Sequence, residues 1–309
     1  MHRERPMRRT AAALLLGVLV VAIAACGGDK KKAANAPEAD KPVEDALGFE
    51  IDGILKRQSK VEDLVRDCMK AKGFEYTPVD PAAQRAALVG SATLSEEDFE
   101  KQFGYGITTL YEQRIKEASS GPNATYRTSL VPAQRTAYDR TLYGKNVGVT
   151  FSSAVDTGDF ADLGGCTKEA TEQAFGGAQT LSTLQTKLDQ LDERIVADAR
   201  MVEAFKAWST CMRAAGFSGL KDPDEVDTRL EDKLEEIVGP TPRGGIPAAT
   251  KSYDKAKLAA LQKEEVKIVA ADLDCEEKHI EEVEKKVRAE YEKTFREENA
   301  AFLASVPKA

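Results

Sequence analysis

The sequence predicts an all-α protein: a helical domain with two long antiparallel, coiled-coil-like helices, stapled by two disulfides. Three observations lead there. Leu181, Leu184, Leu188, Leu191, Ile195, Val202 and Phe205 recur at steps of three and four, apart from a polar Asp198 in the series. That rhythm is the seam of a long amphipathic helix. A second stripe runs Leu261, Ile268, Cys275, Ile280, Val283, Val287, Tyr291, Phe295 and Phe302, with Glu and Lys crowding the other face. Such charges suit a solvent-facing helix with i,i+4 pairs. Nowhere does the chain sustain the alternation of a strand.

Residues 1–25 read as a signal peptide. Arg3, Arg5, Arg8 and Arg9 make a basic start, and an apolar stretch runs from Ala11 to Ala25. The stretch is shorter than the roughly 20 residues of a membrane-spanning helix, and the layout is that of a secretory leader. Gly27-Gly28-Asp29-Lys30 ends it abruptly, which weighs against an uncleaved anchor helix. Arg8-Arg9 lacks the rest of a twin-arginine motif. An ordinary leader-peptidase site, with Cys26 a bystander, is the plainer alternative. The ending Ile23-Ala24-Ala25-Cys26 resembles the lipobox of bacterial lipoproteins. The resemblance implies a diacylglyceryl group on the Cys26 sulfur, cleavage just before Cys26, and a protein held by its lipid on the extracytoplasmic face of the cell membrane. Two acyl chains make a stable anchor. Residues 26–43, with Gly27-Gly28, Lys30, Lys31, Lys32 and a run of Ala, Pro and Asp, have no apolar period and read as a disordered tether.

From 44 to 309 the chain reads as a helical domain. A first helix is expected from Glu44 to Lys72, with Ile51, Ile54, Leu55, Val61, Leu64, Val65 and Cys68 inward, broken by Pro78 and Pro81. Ser95-Glu96-Glu97-Asp98 has the form of a helix start, leading through Phe99 and Phe103 toward Tyr111 and Ile115. Gly104-Tyr105-Gly106 marks a tight turn, and Ser119-Ser120-Gly121-Pro122-Asn123 a loop. A short helix should follow Pro132. Gly144 to Gly165 is irregular, with at most a brief strand from Val147 to Phe151. A helix from Val226 to Val238 closes at the breaker-rich loop Gly239 to Gly245.

The cysteines add long-range information. Besides Cys26 there are Cys68, Cys166, Cys211 and Cys275, an even number that reads as two disulfides in an exported protein. Four cysteines permit three connectivities. Val65-Arg66-Asp67-Cys68-Met69-Lys70-Ala71-Lys72-Gly73-Phe74 is echoed by Trp208-Ser209-Thr210-Cys211-Met212-Arg213-Ala214-Ala215-Gly216-Phe217; both contain Cys-Met-basic-Ala-x-Gly-Phe. In each copy the cysteine falls on an apolar stripe and the glycine sits where helices close. One further cysteine follows each copy, so the simplest pairing is Cys68–Cys166 and Cys211–Cys275, within two related halves, 44–180 and 181–309. Unpaired buried thiols are the bland alternative. Together with Tyr138-x-x-x-Leu142-x-Gly144 and an Ala-Asp-x-x-Cys helix ending in Cys275, these motifs resemble uncharacterised secreted lipoproteins of high-GC Gram-positive bacteria. The resemblance covers most of residues 55–300 and implies a disulfide-braced architecture, with no established activity attached.

Composition narrows function mainly by exclusion. The net charge is −8; loss of a leader with four Arg and one Glu takes it to −8 − 3 = −11. An acidic surface argues against nucleic acid as a partner. Downstream of the leader His279 is the one histidine, set among glutamates and read as a surface residue, and no nucleophile elbow, P-loop or dinucleotide motif occurs. Asp156, Asp159 and Asp162 surround Gly158 but lack EF-hand spacing, and Trp208 reads as core. No cofactor or metal is expected. The reading is a lipid-anchored, non-enzymatic module that binds an envelope protein through its acidic long helices; a solute-binding lipoprotein serving a transporter is the alternative, and a cell-wall hydrolase lacks its motifs.

Overall fold

The computed structural model describes residues 51–91, 96–145, 163–239 and 252–306, with Val43, Leu47 and Leu94. The lipobox residues Ile23, Ala24, Ala25 and Cys26, the tether before Val43, the strand at 147–151, the aspartate loop at 156–162 and the loop at 240–245 lie outside the described residues. So do the side chains of Ile51, Ile54 and Leu55. Among the described residues there is no strand, and twelve helices follow one another: α1 Ile51–Ala71, α2 Pro81–Val89, α3 Glu96–Phe103, α4 Tyr111–Ser120, α5 Pro122–Ser129, α6 Pro132–Tyr143, α7 Gly165–Phe175, α8 Ala178–Val196, α9 Ala199–Ala214, α10 Asp224–Val238, α11 Lys255–His279 and α12 Glu281–Leu303. Helix α1 packs on α7, α7 on α6 and α8, α8 and α9 on α12, and α9 and α10 on α11. A core cluster containing Met69, Phe175, Leu188, Ile195, Trp208, Ile268 and Val287 crosses all of these contacts.

Both long helical segments are interrupted, and each interruption has a physical cause. Asp198, the polar residue in the first seam, takes extended backbone (φ −62, ψ 136) and its carboxylate accepts from the Arg200 N–H at 2.8 Å. It is the N-cap of α9, a role for which a short carboxylate is well suited. In the second segment the stripe steps by five from Cys275 to Ile280, out of helical phase. There α11 ends with Lys278 and His279, and α12 begins with Glu281, Glu282 and Glu284. Basic residues favour a helix C-terminus and acidic ones an N-terminus, so the charge order marks the break, while Ile280 is buried in the core.

Prolines also act differently from the sequence expectation. Pro81 and Pro122 begin helices rather than loops, as the missing N–H permits at a first helical position. Gly121 alone is the joint between α4 and α5 (φ −71, ψ 164). The helix expected to lead from Ser95 toward Ile115 is split by Gly104 (φ 61) and Gly106 (φ 71), the turn that Gly104-Tyr105-Gly106 predicted. The helix after Pro132 is present as α6, and the one expected from Val226 begins two residues earlier.

The repeated cysteine motif closes two helices in the same way. Gly73 (φ 85) and Gly216 (φ 98) are left-handed. Phe74 N–H donates to Met69 O at 3.0 Å and Gly73 N–H to Lys70 O at 3.0 Å; Phe217 N–H donates to Met212 O at 2.8 Å and Gly216 N–H to Arg213 O at 3.1 Å. Both are complete Schellman closures. Just before them, Cys68 is joined to Cys166 and Cys211 to Cys275, with Cα separations of 5.6 and 5.8 Å, the within-copy pairing. Near the first staple α6 and α7 cross through glycine: a Cβ on Gly165 (φ +58) would lie 2.3 Å from Thr141 O.

These glycines should respond differently to alanine. Nothing lies within 4 Å of an added Cβ at Gly73 or Gly216, so Gly73→Ala and Gly216→Ala should each cost about 1–2 kcal/mol of backbone strain, read by urea denaturation. Gly165→Ala adds a collision with backbone and should cost well over twice as much. Equal losses at all three positions would contradict the close crossing.

Candidate functional site

Helix α11 carries acids on its buried stripe. Leu258, Leu261, Glu265, Ile268, Asp272 and Cys275 are spaced 3-4-3-4-3, and all are buried. Glu265 is the centre of the densest polar cluster. Its carboxylate accepts from the N–H groups of Ile107 (2.7 Å), Thr108 (2.8 Å) and Thr109 (2.9 Å) and from the Thr108 hydroxyl (2.6 Å). Gln262 adds a bond to Thr108 O at 3.1 Å. The turn can come this close because Gly104 has no side chain: a Cβ there would meet Glu265 Cγ at 2.8 Å. Two turns along, Asp272 accepts from the Tyr105 hydroxyl at 2.7 Å and from the Trp208 indole N–H at 2.8 Å. One helix face thus binds the loop between α3 and α4 as well as α9.

Sequence reasoning placed Ile268 and Cys275 on this stripe and passed over Glu265 and Asp272, because acids were assigned to the solvent face. The usable signal was positional: both fall midway between apolar residues of a 3-4 repeat. Chemically, these carboxylates are inward-facing acceptors with several donors each. Such groups hold structure; a general base needs a lone pair aimed at a substrate proton.

A second acidic group binds α8 to α12. Arg288 Nη2 lies 3.1 Å from both Asp192 and Glu284, and both acids are buried. Further along, Lys187 meets Asn299 (2.6 Å), Asp198 meets Tyr291 (3.4 Å) and Arg200 meets Glu290 (2.8 Å). The side chain of Arg200, then its backbone N–H, holds the Asp198 carboxyl down to about 2.

Aromatic residues gather on the other half of the body. Tyr138 meets Phe74 and Tyr126 edge-on, with centroids 5.6 and 5.7 Å apart. Alongside, Glu62 accepts from the Tyr76 hydroxyl (2.9 Å) and the Val79 N–H (2.8 Å). Burial pushes the Glu62 carboxyl above its ordinary value, in spite of those two bonds. Burial likewise raises the Tyr138 phenol. Arg127 grips Asp139 with two bonds of 2.6 and 2.7 Å.

The residues singled out from sequence fall as follows. Trp208 is fully buried in the core, and His279 is half-exposed in the last turn of α11. Among the described residues, the grouping with metal-like spacing is Cys211, Asp274 and Cys275. Its two sulfurs are joined to each other and Asp274 pairs with Lys278 at 2.5 Å, so it holds no thiolate for a metal. Among the described residues no helix is long and apolar enough to cross a membrane. No protein-family model, curated protein or solved structure matches the chain.

Two substitutions probe these clusters. Glu265→Ala strands four donors and should cost about 3 kcal/mol or more, measured by denaturant unfolding; Thr108→Val, which removes one charge-assisted bond, should cost about 1.5–3 kcal/mol. Losses under 0.5 kcal/mol for both would contradict the geometry. At Glu62 a raised folded pKa means stability is fully present below the unfolded value and lost as pH rises through the folded one. Glu62→Gln should therefore raise the melting temperature at pH 7, and the gain should disappear below pH 4.5, the carboxyl's ordinary value. A pH-independent effect would contradict the burial argument.

Proposed function

We propose that this chain is a lipid-anchored protein of the extracytoplasmic membrane face, held through Cys26, with a non-enzymatic helical body that binds another envelope component. Cysteine arithmetic carries the reading. Of five cysteines, four are joined as Cys68–Cys166 and Cys211–Cys275, and the remaining sulfur is the one that ends Ile23-Ala24-Ala25-Cys26. Disulfides persist in oxidising compartments, and a secretory leader delivers to such a compartment. Leader, lipid cysteine and staples are consistent with one another.

The binding role is supported by where the polar chemistry is used. Glu265, Asp272, Asp192 and Glu284 are committed to holding helices together, so the body is built to be rigid. The contact surface in this reading is the acidic side of α10, where Glu231, Asp232, Glu235 and Glu236 are exposed. Helices α8 and α9 pair with α12 as an antiparallel, coiled-coil-like seam, supported by partners whose numbers fall from Asn299 to Glu290 as those opposite rise from Lys187 to Arg200. The two halves, 44–180 and 181–309, are related units, supported by their matched helix closures. The solute-binding alternative has less behind it, since Phe74, Tyr126 and Tyr138 are closed on one another edge-on.

Fractionation of expressing cells tests the anchor. The unaltered protein should sediment with membranes and partition into detergent, whereas Cys26→Ser should appear in the soluble exported fraction. Retention of Cys26→Ser in the membrane pellet would sink the proposal.

A further inference from the structure

The two disulfides have matched surroundings except at one sulfur. Cys68 and Cys211 each stand three positions before the end of a helix (71 − 68 in α1, 214 − 211 in α9). Both are half-buried, while their partners Cys166 and Cys275 are 0% and 1% exposed. An acid paired with a lysine stands beside each bridge. One Glu169 oxygen lies 3.3 Å from the Cys68 sulfur, and the other accepts from Lys72 Nζ at 2.9 Å. At the second bridge an Asp274 oxygen lies within 4.8 Å of both sulfurs, and Asp274 pairs with Lys278. What differs is the helix end at the buried sulfur. Cys166 is the second residue of α7, whose first turn carries no acid and, among the described residues, no side-chain cap. Cys275 is four positions from the end of α11 (279 − 275), flanked along the helix by the buried acids Asp272 and Glu276. The adjoining start of α12 carries Glu281, Glu282 and Glu284.

We propose that Cys68–Cys166 is a thiol-exchange site for a low-molecular-weight thiol, and that Cys211–Cys275 is the permanent staple. In the exchange step an incoming thiolate attacks the Cys68 sulfur, the S–S bond breaks, and its electron pair leaves on the Cys166 sulfur. The products are a mixed disulfide on Cys68 and a Cys166 thiolate; the incoming sulfur is oxidised and Cys166 is reduced. Attack falls on Cys68 because Cys166 is closed to solvent. The rate then depends on the leaving sulfur, which departs faster the better its thiolate is stabilised. A helix N-terminus favours a thiolate, and the end of an acid-flanked helix opposes one. Burial penalises both leaving thiolates alike, and each bridge has its acid–lysine pair, so these effects cancel between the two. Packing of α1 on α7 keeps the two sulfurs adjacent. Cys166 can therefore reclose the bridge by attacking Cys68 and expelling the small thiol. The exchange does not depend on a lipid at Cys26.

Cys26→Ser in the full chain leaves four cysteines (5 − 1), all bridged, so no other thiol interferes. The oxidised protein is incubated without denaturant in 2-mercaptoethanol at about pH 8, where a free thiol is partly ionised. Samples are quenched with acid, unfolded, alkylated with N-ethylmaleimide and mapped by mass spectrometry. The first product should carry mercaptoethanol on Cys68 and maleimide on Cys166. Its initial rate should exceed the opening of Cys211–Cys275 by about fivefold or more. Lys168→Glu, which puts an acid in the first turn of α7, should slow that step about twofold or more and leave the other bridge unchanged. Equal opening of the two bridges, earlier opening of Cys211–Cys275, or mercaptoethanol on Cys166 would overturn the proposal. So would an unchanged rate in Lys168→Glu, because a difference of access alone is blind to that charge.

Discussion

Two oxidised cysteine pairs set which helices can be neighbours. Cys68 and Cys211 each lie five residues before a left-handed glycine, at the last turns of α1 and α9, and each is tied to a helix distant in sequence. Closing loops of 98 and 64 residues restricts the unfolded chain by roughly 4 kcal/mol each in the entropic account. Packing then follows the staples. Met69 and Met212, adjacent to the cysteines, are both completely buried, and in both copies a phenylalanine after the glycine is packed against the core.

Within that frame the acids of α11 decide how the rest is arranged. A buried carboxylate is costly unless its oxygens are fully engaged. Glu265 can be tolerated only where Ile107, Thr108 and Thr109 turn their N–H groups toward it, and that turn exists only because Gly104 lets the backbone approach. Asp272 makes a similar demand on Tyr105 and Trp208. These are directional requirements, unlike the apolar contacts around them, so they choose one placement of the α3–α4 loop over others of similar hydrophobic burial. Arg288 with Asp192 and Glu284 does the same between α8 and α12, in the manner of polar residues that select register in helix pairs.

Much of this was legible in the residues themselves. The helical class came from the 3-4 periodicity, the closures at Gly73 and Gly216 from the repeated motif, and the cysteine pairing from the same echo. What escaped was local backbone chemistry acting against a longer pattern. Asp198 sits at a seam position yet serves as a cap, because its carboxylate reaches the Arg200 N–H. Ile280 continues the apolar character but not the phase. Pro81 and Pro122 looked like breakers and proved to be helix starts. The buried acids were missed for a different reason: charge was taken as a marker of the outer face, and only partners 150 or more residues away in sequence, unreadable locally, make Glu265 an inner residue.

The two disulfides of the body and the lipid proposed on Cys26 both call for sulfur chemistry outside the cytoplasm. Intact-mass and non-reducing peptide analysis of protein extracted from membranes tests this most directly. A chain beginning at Cys26, heavier by a diacylglyceryl group, with Cys68 joined to Cys166 and Cys211 to Cys275, is the predicted result. An unmodified Cys26 in a chain that retains its leader, or four reduced thiols in the body, would contradict it.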